Sequence, residues 1–315
     1  MLKKLAVAMG FALGLTLAHA EDINFGIIST ESSQSLKADW QPLLDDMAKK
    51  TGFTVKAFFS SDYAGIIEGM RFNKVQLAWY GNKSAIEAVD RANGEVFAQM
   101  VNADGTQGYY SHLIVHKDSP IQGLDEVLKN GKSYSFGNGD PNSTSGFVVP
   151  GFYVFAQNKI DAKSHFKVVR NANHETNALA VANKQVDVAT NSSVNLERLK
   201  ANYPEKFKEL RIVWTSPLIP SDPLVWRKDL PEATQAKLKD FLFNYGKTDA
   251  REKEVLMKIN KISGFKPSTN AQLVPIRQLD LFGKRNKLEA DTTLSDADKQ
   301  AKLAEIDKQL AALKN

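Results

Sequence analysis

Apolar and polar positions alternate in short blocks from Asp22 onward, and the period of the blocks changes in a regular order. Asp22-Ile23-Asn24-Phe25-Gly26-Ile27-Ile28 has the two-residue period of a strand and ends in the polar loop Ser29-Thr30-Glu31-Ser32-Ser33. Between Leu36 and Thr51 the apolar residues Trp40, Leu43, Leu44 and Met47 fall at the spacing of an amphipathic helix, which Gly52 stops. A strand over 53–59, a helix over 64–72, a strand over 75–80 and a helix through Arg91 follow. This β-α-β-α-β-α rhythm predicts an α/β protein with a mainly parallel, doubly wound sheet.

The rhythm then restarts. Tyr110 to His116 reads as a strand, Lys117-Asp118-Ser119-Pro120 breaks it, and a second series opens at Tyr134-Ser135-Phe136. That series runs through a glycine-rich turn, a strand over 166–169, a helix over 175–184 and a strand over 186–189. In the segment from Ile212 to Trp226, Pro217, Pro220 and Pro223 suit a chain crossing between lobes better than a central strand. Residues 231–282 read as helical and pack back on the first lobe. The expected organisation is one lobe from 21–116 and 222–285 and an inserted lobe from 117–221, with a hinge near 115–119 and 217–222. A tail from 286–315 follows. Ligands of α/β sheets sit beyond the carboxyl ends of strands, so the loops at Ser29, Asp62, Tyr80, Asn138 and Thr190 are expected at an inter-lobe cleft. Tyr80 reads either as a wall of that cleft or as core. In the tail, Leu303, Ile306, Leu310 and Leu313 form a short heptad seam. Two readings stay open for it: a helix packed on its own chain, or a homodimer contact.

Composition narrows the setting. Lys3 and Lys4, the apolar run Leu5 to Leu17 and the Ala18-His19-Ala20 cleavage pattern have the layout of a secretory signal cut after Ala20, which predicts export from the cytoplasm. That run falls short of the ~20 apolar residues that a membrane-spanning helix needs. Cysteine is absent, which removes disulfides, thiolate metal sites, cysteine nucleophiles and a lipid-bearing cysteine. The formal charge is +5, two units of which leave with the signal, and the basic residues are interleaved with acids. No nucleic-acid partner is expected from that pattern.

Catalytic patterns are missing. Of the five histidines, His112 and His116 have HxxxH spacing but sit within a strand and not on a helix; there is no HExxH pair, no G-x-S-x-G elbow and no phosphate-binding GxxxxGK[ST] loop. The expectation is therefore no catalytic residue, no metal and no cofactor. The stretch that carries chemistry is Gly137-Asn138-Gly139-Asp140-Pro141-Asn142-Ser143-Thr144-Ser145-Gly146, which delivers three hydroxyls to the start of an apolar helix. The first N–H groups of a helix have no partner within it, and its dipole favours negative charge there. With three O–H donors added, the turn is a cradle for a tetrahedral oxyanion. A helix cap needs one such hydroxyl; three exceed that use.

At these residues, and at Asn24 to Ser32, Asp62 to Ile67, Met70 to Val75, Ala78 to Asn82, His174 to Asn183 and Ser216 to Pro223, the chain resembles the periplasmic phosphonate-binding proteins of ABC importers. The resemblance covers nearly the whole chain after Ala20. It implies the type II periplasmic binding fold, two α/β lobes with a hinge and a ligand cleft, and capture of an alkylphosphonate or 2-aminoethylphosphonate for a permease and its ATPase. It implies that Ser143, Thr144, Ser145, Tyr63 and Tyr109 hold the phosphonate oxygens and that His174 faces the site. Asp222 would meet a ligand ammonium, though an Asp before Pro223 also suits a turn. Members that take aminoalkylphosphonates carry a glutamate where this chain has Val194, so simple alkyl tails are expected to gain ground, unless Glu175 or Asn195 substitutes. An exported phosphonate or phosphate-ester hydrolase, a phosphite or phosphate binder, and a ligand-presenting sensor are the alternatives.

Overall fold

The computed structural model describes residues 21–313; the signal segment and its cleavage point lie outside them. Strands β1 (Asp22–Ile27), β2 (Thr54–Phe58) and β3 (Leu77–Trp79) pair in parallel through the helices Ser33–Thr51 and Tyr63–Arg71, in the predicted order. After the helix Asn82–Arg91 comes β4 (Gly94–Asn102), which is missing from the expected elements. Its centre, Val96-Phe97-Ala98, is buried at every position, so it lacks the alternation that marks a half-exposed strand.

Next come the short β5 (Gly108–Tyr109), then β6 (Ser111–His116), β7 (Ser135–Asn138), β8 (Val168–Asn171), β9 (Val188–Ser192) and β10 (Leu210–Thr215). Finally β11 (Ile219–Pro220) pairs with β5, and β12 (Pro223–Arg227) and β13 (Ile262–Pro267) return to the first sheet. The result is a six-stranded sheet in the order β13-β4-β12-β3-β1-β2 and a five-stranded sheet in the order β10-β6-β9-β7-β8, joined by the β5–β11 ribbon.

Four expectations are corrected by this topology. Both sheets are mixed: β12 runs antiparallel to β3 and β4, and β6 runs antiparallel to β9 and β10. A strand that returns from an inserted lobe needs no crossover helix and so enters against the parallel set. The segment around Pro223 is a central, wholly buried strand; Pro223 is its first residue, where a missing N–H is tolerated. The crossing between lobes is the β5–β11 ribbon, not 115–119, because Val115 lies buried within β6 of the second sheet. The boundary expected after 116 therefore falls before β6. Residues 231–282 are not wholly helical, since β13 forms an edge of the first sheet.

The first core brings Trp40 of the helix Ser33–Thr51 against Trp79, with ring centroids 5.2 Å apart and planes 25° from parallel. Trp79 ends β3, so this stack fixes its indole at the carboxyl edge of the sheet. In the tail, the helix Asp296–Ala312 packs on the helix Val274–Glu289 of the same chain. Leu310 is buried there, Leu303, Ile306 and Leu313 are half-buried, and Arg285 Nε pairs with Asp307 Oδ1 at 2.9 Å.

Candidate functional site

All seven residues singled out from the sequence, Tyr63, Tyr109, Ser143, Thr144, Ser145, His174 and Asp222, line one pocket between the sheets. The hydroxyl loop follows β7 as expected, but the helix it opens is not an ordinary one. Its first turns, Thr144–Val148 and Gly151–Phe155, are widened to i→i+5 spacing. Pro150 supplies a reason: its ring excludes an N–H and crowds the carbonyl four residues back, that of Gly146. That carbonyl accepts instead from Gly139 N at 3.0 Å and from Thr190 Oγ1 at 2.8 Å. A Cβ on Gly139 would stand 2.5 Å from the Gly146 backbone, so the glycine permits this contact.

The acceptor sides of the hydroxyls are engaged within the protein. Ser143 Oγ accepts from Gly146 N at 2.9 Å, and Thr144 Oγ1 accepts from Lys83 N at 2.9 Å. Ser143 and Ser145 each place Oγ 3.4 Å from His174 Nε2. With the His174 proton on Nε2, the ring donates to these two oxygens, and the hydroxyl protons are then free for a ligand oxygen. The Tyr63 phenol meets Ser143, and the Tyr109 phenol meets Thr144 and Asp222. Burial raises both phenols well above their ordinary range, so they remain O–H donors. Lys83 N belongs to the helix Asn82–Arg91, and Tyr63 N, which starts its own helix, donates to Asp140 Oδ2 at 3.3 Å. Two helix N-termini thus meet the hydroxyls, a third is taken by the Asp140 carboxylate, and no lysine or arginine is among the residues lining the pocket. Partial positive charge and neutral donors suit an oxyanion without leaving a full cation buried in the empty site.

The other end of the pocket is built differently. Trp79 Nε1 donates to Asp222 Oδ2 at 3.1 Å, while the buried Asp222 Oδ1 has no protein partner. Burial pushes this carboxyl up to about 7. Glu31, also in the wall, accepts from Asn195 Nδ2 at 3.0 Å and from Thr30 Oγ1. Asn195 Oδ1 and His174 Nδ1 are buried without partners. Burial also lowers His174 to about 4, so its ring is neutral near pH 7. Val194 lies in the same wall. Three acceptor-capable atoms are therefore left open in the same pocket as the donors, with Tyr109 meeting both Thr144 and Asp222 and the His174 ring reaching Ser143 and Ser145.

The sequence model of ABC-transporter phosphonate periplasmic substrate-binding proteins matches residues 25–273. The chain belongs to this family. The phosphonates-binding periplasmic protein of Escherichia coli (strain K12) is 60% identical over 312 residues, spanning 97% of this chain and 91% of that protein. A crystal structure of a binding-protein component of an ABC phosphonate transporter from Pseudomonas aeruginosa superposes with a TM-score of 0.91. It is 56% identical and covers 94% of this chain and 97% of that one. The Prochlorococcus marinus (MIT 9301) protein solved with methylphosphonate shares the fold at a TM-score of 0.73 and 22% identity, over 82% of this chain and 97% of that one.

For this phosphonate-binding protein, the expected loops do reach the pocket, but often through neighbouring residues. Thr30 and Glu31 line it where Ser29 was expected, Tyr63 where Asp62 was, and Trp79 and Gly81 where Tyr80 was. Asp62 caps the helix Tyr63–Arg71, and Tyr80 is core, its hydroxyl donating to Ile66 O at 3.0 Å. Glu31 and Trp79 are among the residues missed as pocket walls, together with Ser192 and Asn260. Strand alternation at Ala78-Trp79-Tyr80 carried the one available signal, that Trp79 and Tyr80 face opposite ways. Asn195 lines the pocket and Glu175 does not. Among the described residues no helix is long and apolar enough to cross a membrane.

Proposed function

We propose that this phosphonate-binding periplasmic protein captures short-chain phosphonates, with the PO₃ group held by Ser143, Thr144, Ser145, Tyr63 and Tyr109. The loaded protein then presents its cargo to an ABC permease and ATPase. The observation that carries the reading is the convergence of three hydroxyls, two un-ionised phenols and two helix N-termini in one pocket without a lysine or arginine. Hydrogen bonds to an anion in a water-poor site are roughly twice as strong as neutral ones. The lobes, taken as 21–107 with 222–285 and 108–221, close about the β5–β11 ribbon. Export with cleavage after Ala20 brings the chain to its place of work.

The tail of the ligand meets Asp222, Asn195, His174 and Val194. Open acceptors at Asp222 Oδ1, Asn195 Oδ1 and His174 Nδ1 favour a donor on the ligand, such as an amine. Val194 adds apolar surface where a second carboxylate would otherwise strengthen that preference. Both 2-aminoethylphosphonate and ethylphosphonate are thus accommodated, with the amine favoured by less than a hundredfold. A hydrolytic role finds little support: Ser143 Oγ is occupied as a helix cap, and His174 Nδ1 has no acid to orient it. The tail helix packed on its own chain supports a monomer over the homodimer reading. Thermal shift and calorimetry with 2-aminoethylphosphonate, ethylphosphonate, phosphite, phosphate and sulfate test the assignment. Indifference to every phosphorus ligand would refute it.

A further inference from the structure

Arg198 stands on the helix Ser193–Asn202 that follows β9 in the second sheet, yet its guanidinium is directed entirely at the first lobe. Nη1 donates to Ile259 O at 2.7 Å and to Asn260 Oδ1 at 3.3 Å, and Nη2 pairs with Asp39. Nε lies 3.4 Å from Glu31 Oε1. The side chain is 9% exposed. Ile259 and Asn260 end the helix Ala250–Asn260, whose last carbonyls carry partial negative charge and attract a cation. One helical turn before Arg198, Asn195 donates to the same Glu31 oxygen from the pocket side. The guanidinium therefore forms a charged floor beneath the pocket wall, though Arg198 itself does not line the pocket.

We infer that Arg198 is the clasp of the closed state: a positioning residue that locks the second lobe onto the first and sets Glu31 and Asn195 in the wall, without contacting the ligand. Every one of its polar contacts named above joins the two lobes, so opening the cleft has to break them together. In the empty protein, burial of Arg198, Glu31 and Asp39 carries a desolvation cost that offsets much of their attraction, and the open form stays accessible. A ligand that fills the cleft excludes water and strengthens the same attractions. The clasp thus acts only in the closed state, which is the condition for a contact to shift a two-state equilibrium. Its signature is slow ligand release. Arginine suits the task because one planar fork serves two acids and a carbonyl at once, which a lysine cannot do.

The inference rests on the capture reading above, and the test separates the two. The chain lacks cysteine, so Lys37→Cys and Lys200→Cys, both at exposed positions on opposite lobes, accept a pair of spin labels without background. Inter-label distance is measured by pulsed electron resonance with and without saturating 2-aminoethylphosphonate, in otherwise wild-type protein and in Arg198→Met and Arg198→Lys. Dissociation rates come from stopped-flow competition. Arg198→Met is expected to release ligand at least tenfold faster and to lengthen the inter-lobe distance, with Arg198→Lys between it and wild type. A merely structural role would lower the melting temperature but leave the release rate and liganded distance unchanged, and that result overturns the clasp. Should Arg198→Met fail to fold, Asp39→Asn removes one contact from outside the pocket; faster release supports the clasp and unchanged release overturns it. If the wild type binds no phosphonate, the capture reading fails. The ligand-free distances then decide: equal values in wild type and Arg198→Met overturn the clasp, and a longer one in the variant upholds it.

Discussion

The two ends of the pocket solve opposite problems with opposite means. At one end, Ser143, Thr144 and Ser145 are consecutive in sequence, neutral, and anchored by backbone N–H groups or a neutral imidazole. At the other, Glu31, Trp79, Val194 with Asn195, and Asp222 come from four segments, with Asp222 Oδ1 and Asn195 Oδ1 left open, and His174 bridges the two sets. Under the proposed assignment, the first set takes what every phosphonate shares and can be rigid, while the second meets what differs between phosphonates. That assignment would serve an invariant headgroup with a local motif and a variable tail with residues that only the tertiary fold assembles.

The comparison is broken most severely by removing the shared end. Ser143→Ala with Thr144→Ala deletes two charge-assisted hydrogen bonds, each about 1.5–3 kcal/mol. Affinity for 2-aminoethylphosphonate and ethylphosphonate should fall together, by at least tenfold and by about a hundredfold at the low end of that range. Calorimetry checks it. Loss of one ligand with retention of the other would show that the cradle is not the common anchor.

Restoring a carboxylate at the variable end sharpens the contrast. Val194→Glu should raise the preference for 2-aminoethylphosphonate over ethylphosphonate by about tenfold, since a buried ammonium gains a paired charge while the alkyl tail loses apolar surface. Competition calorimetry reads the ratio. An unchanged ratio would mean that Asn195 and Asp222 already saturate the amine.

How far the chain could be read beforehand follows the same division. The hydroxyl loop and the first three parallel strands were legible because contiguous residues carry them. The strand around Pro223 was not, because a local rule about proline says nothing of which residue opens the strand or which neighbours await it. Glu31 was visible only as a loop residue; its role depends on Asn195 and Arg198, more than 160 positions away. The wide turns after Ser143 trace to Pro150, yet their geometry needs Gly139 and Thr190 to take the displaced carbonyl. Pairings of this kind are settled by packing, and the residue pattern along the chain does not contain them.

Acidity separates the two ends more gently. Asp222 is pushed up to about 7 by burial, so the native protein holds a proton that the unfolded chain releases near 4. Stability from this group falls as pH rises from about 4 through 7. His174 works in the other direction: held near 4 in the fold against 6.5 when free, it destabilises the native state as pH falls through that interval. The two slopes therefore nearly cancel between about pH 4 and 6.5, and above that interval the empty protein loses stability through Asp222 alone until about pH 7. Binding adds a further asymmetry, because an anion beside Asp222 favours its protonated form unless the ligand carries its own ammonium. Between pH 6 and 8, ethylphosphonate affinity should fall about fivefold more than 2-aminoethylphosphonate affinity, and Asp222→Asn should abolish the difference. Parallel titrations in buffers of different ionisation heat would expose the proton uptake directly.

The smallest effect concerns the tail, far from either end. Asp296–Ala312 covers the helix Val274–Glu289 through Leu310 and the Arg285–Asp307 pair, an exposed ion pair worth roughly 0.2–1 kcal/mol. Phe282 lies in the middle of the supporting helix, so a cut there would remove half of it; Ala290 is the sound place to end the chain. Ending at Ala290 should lower the melting temperature by a few degrees and leave ligand affinity unchanged, because no pocket residue comes from the tail. Elution volume in gel filtration should shift only by the mass removed. A halving of apparent mass would instead reveal a dimer built on Leu303, Ile306 and Leu313, whose partial exposure is what a second copy would have to cover. The two outcomes are far enough apart that one column run distinguishes a helix that finishes its own fold from one that finishes a neighbour's.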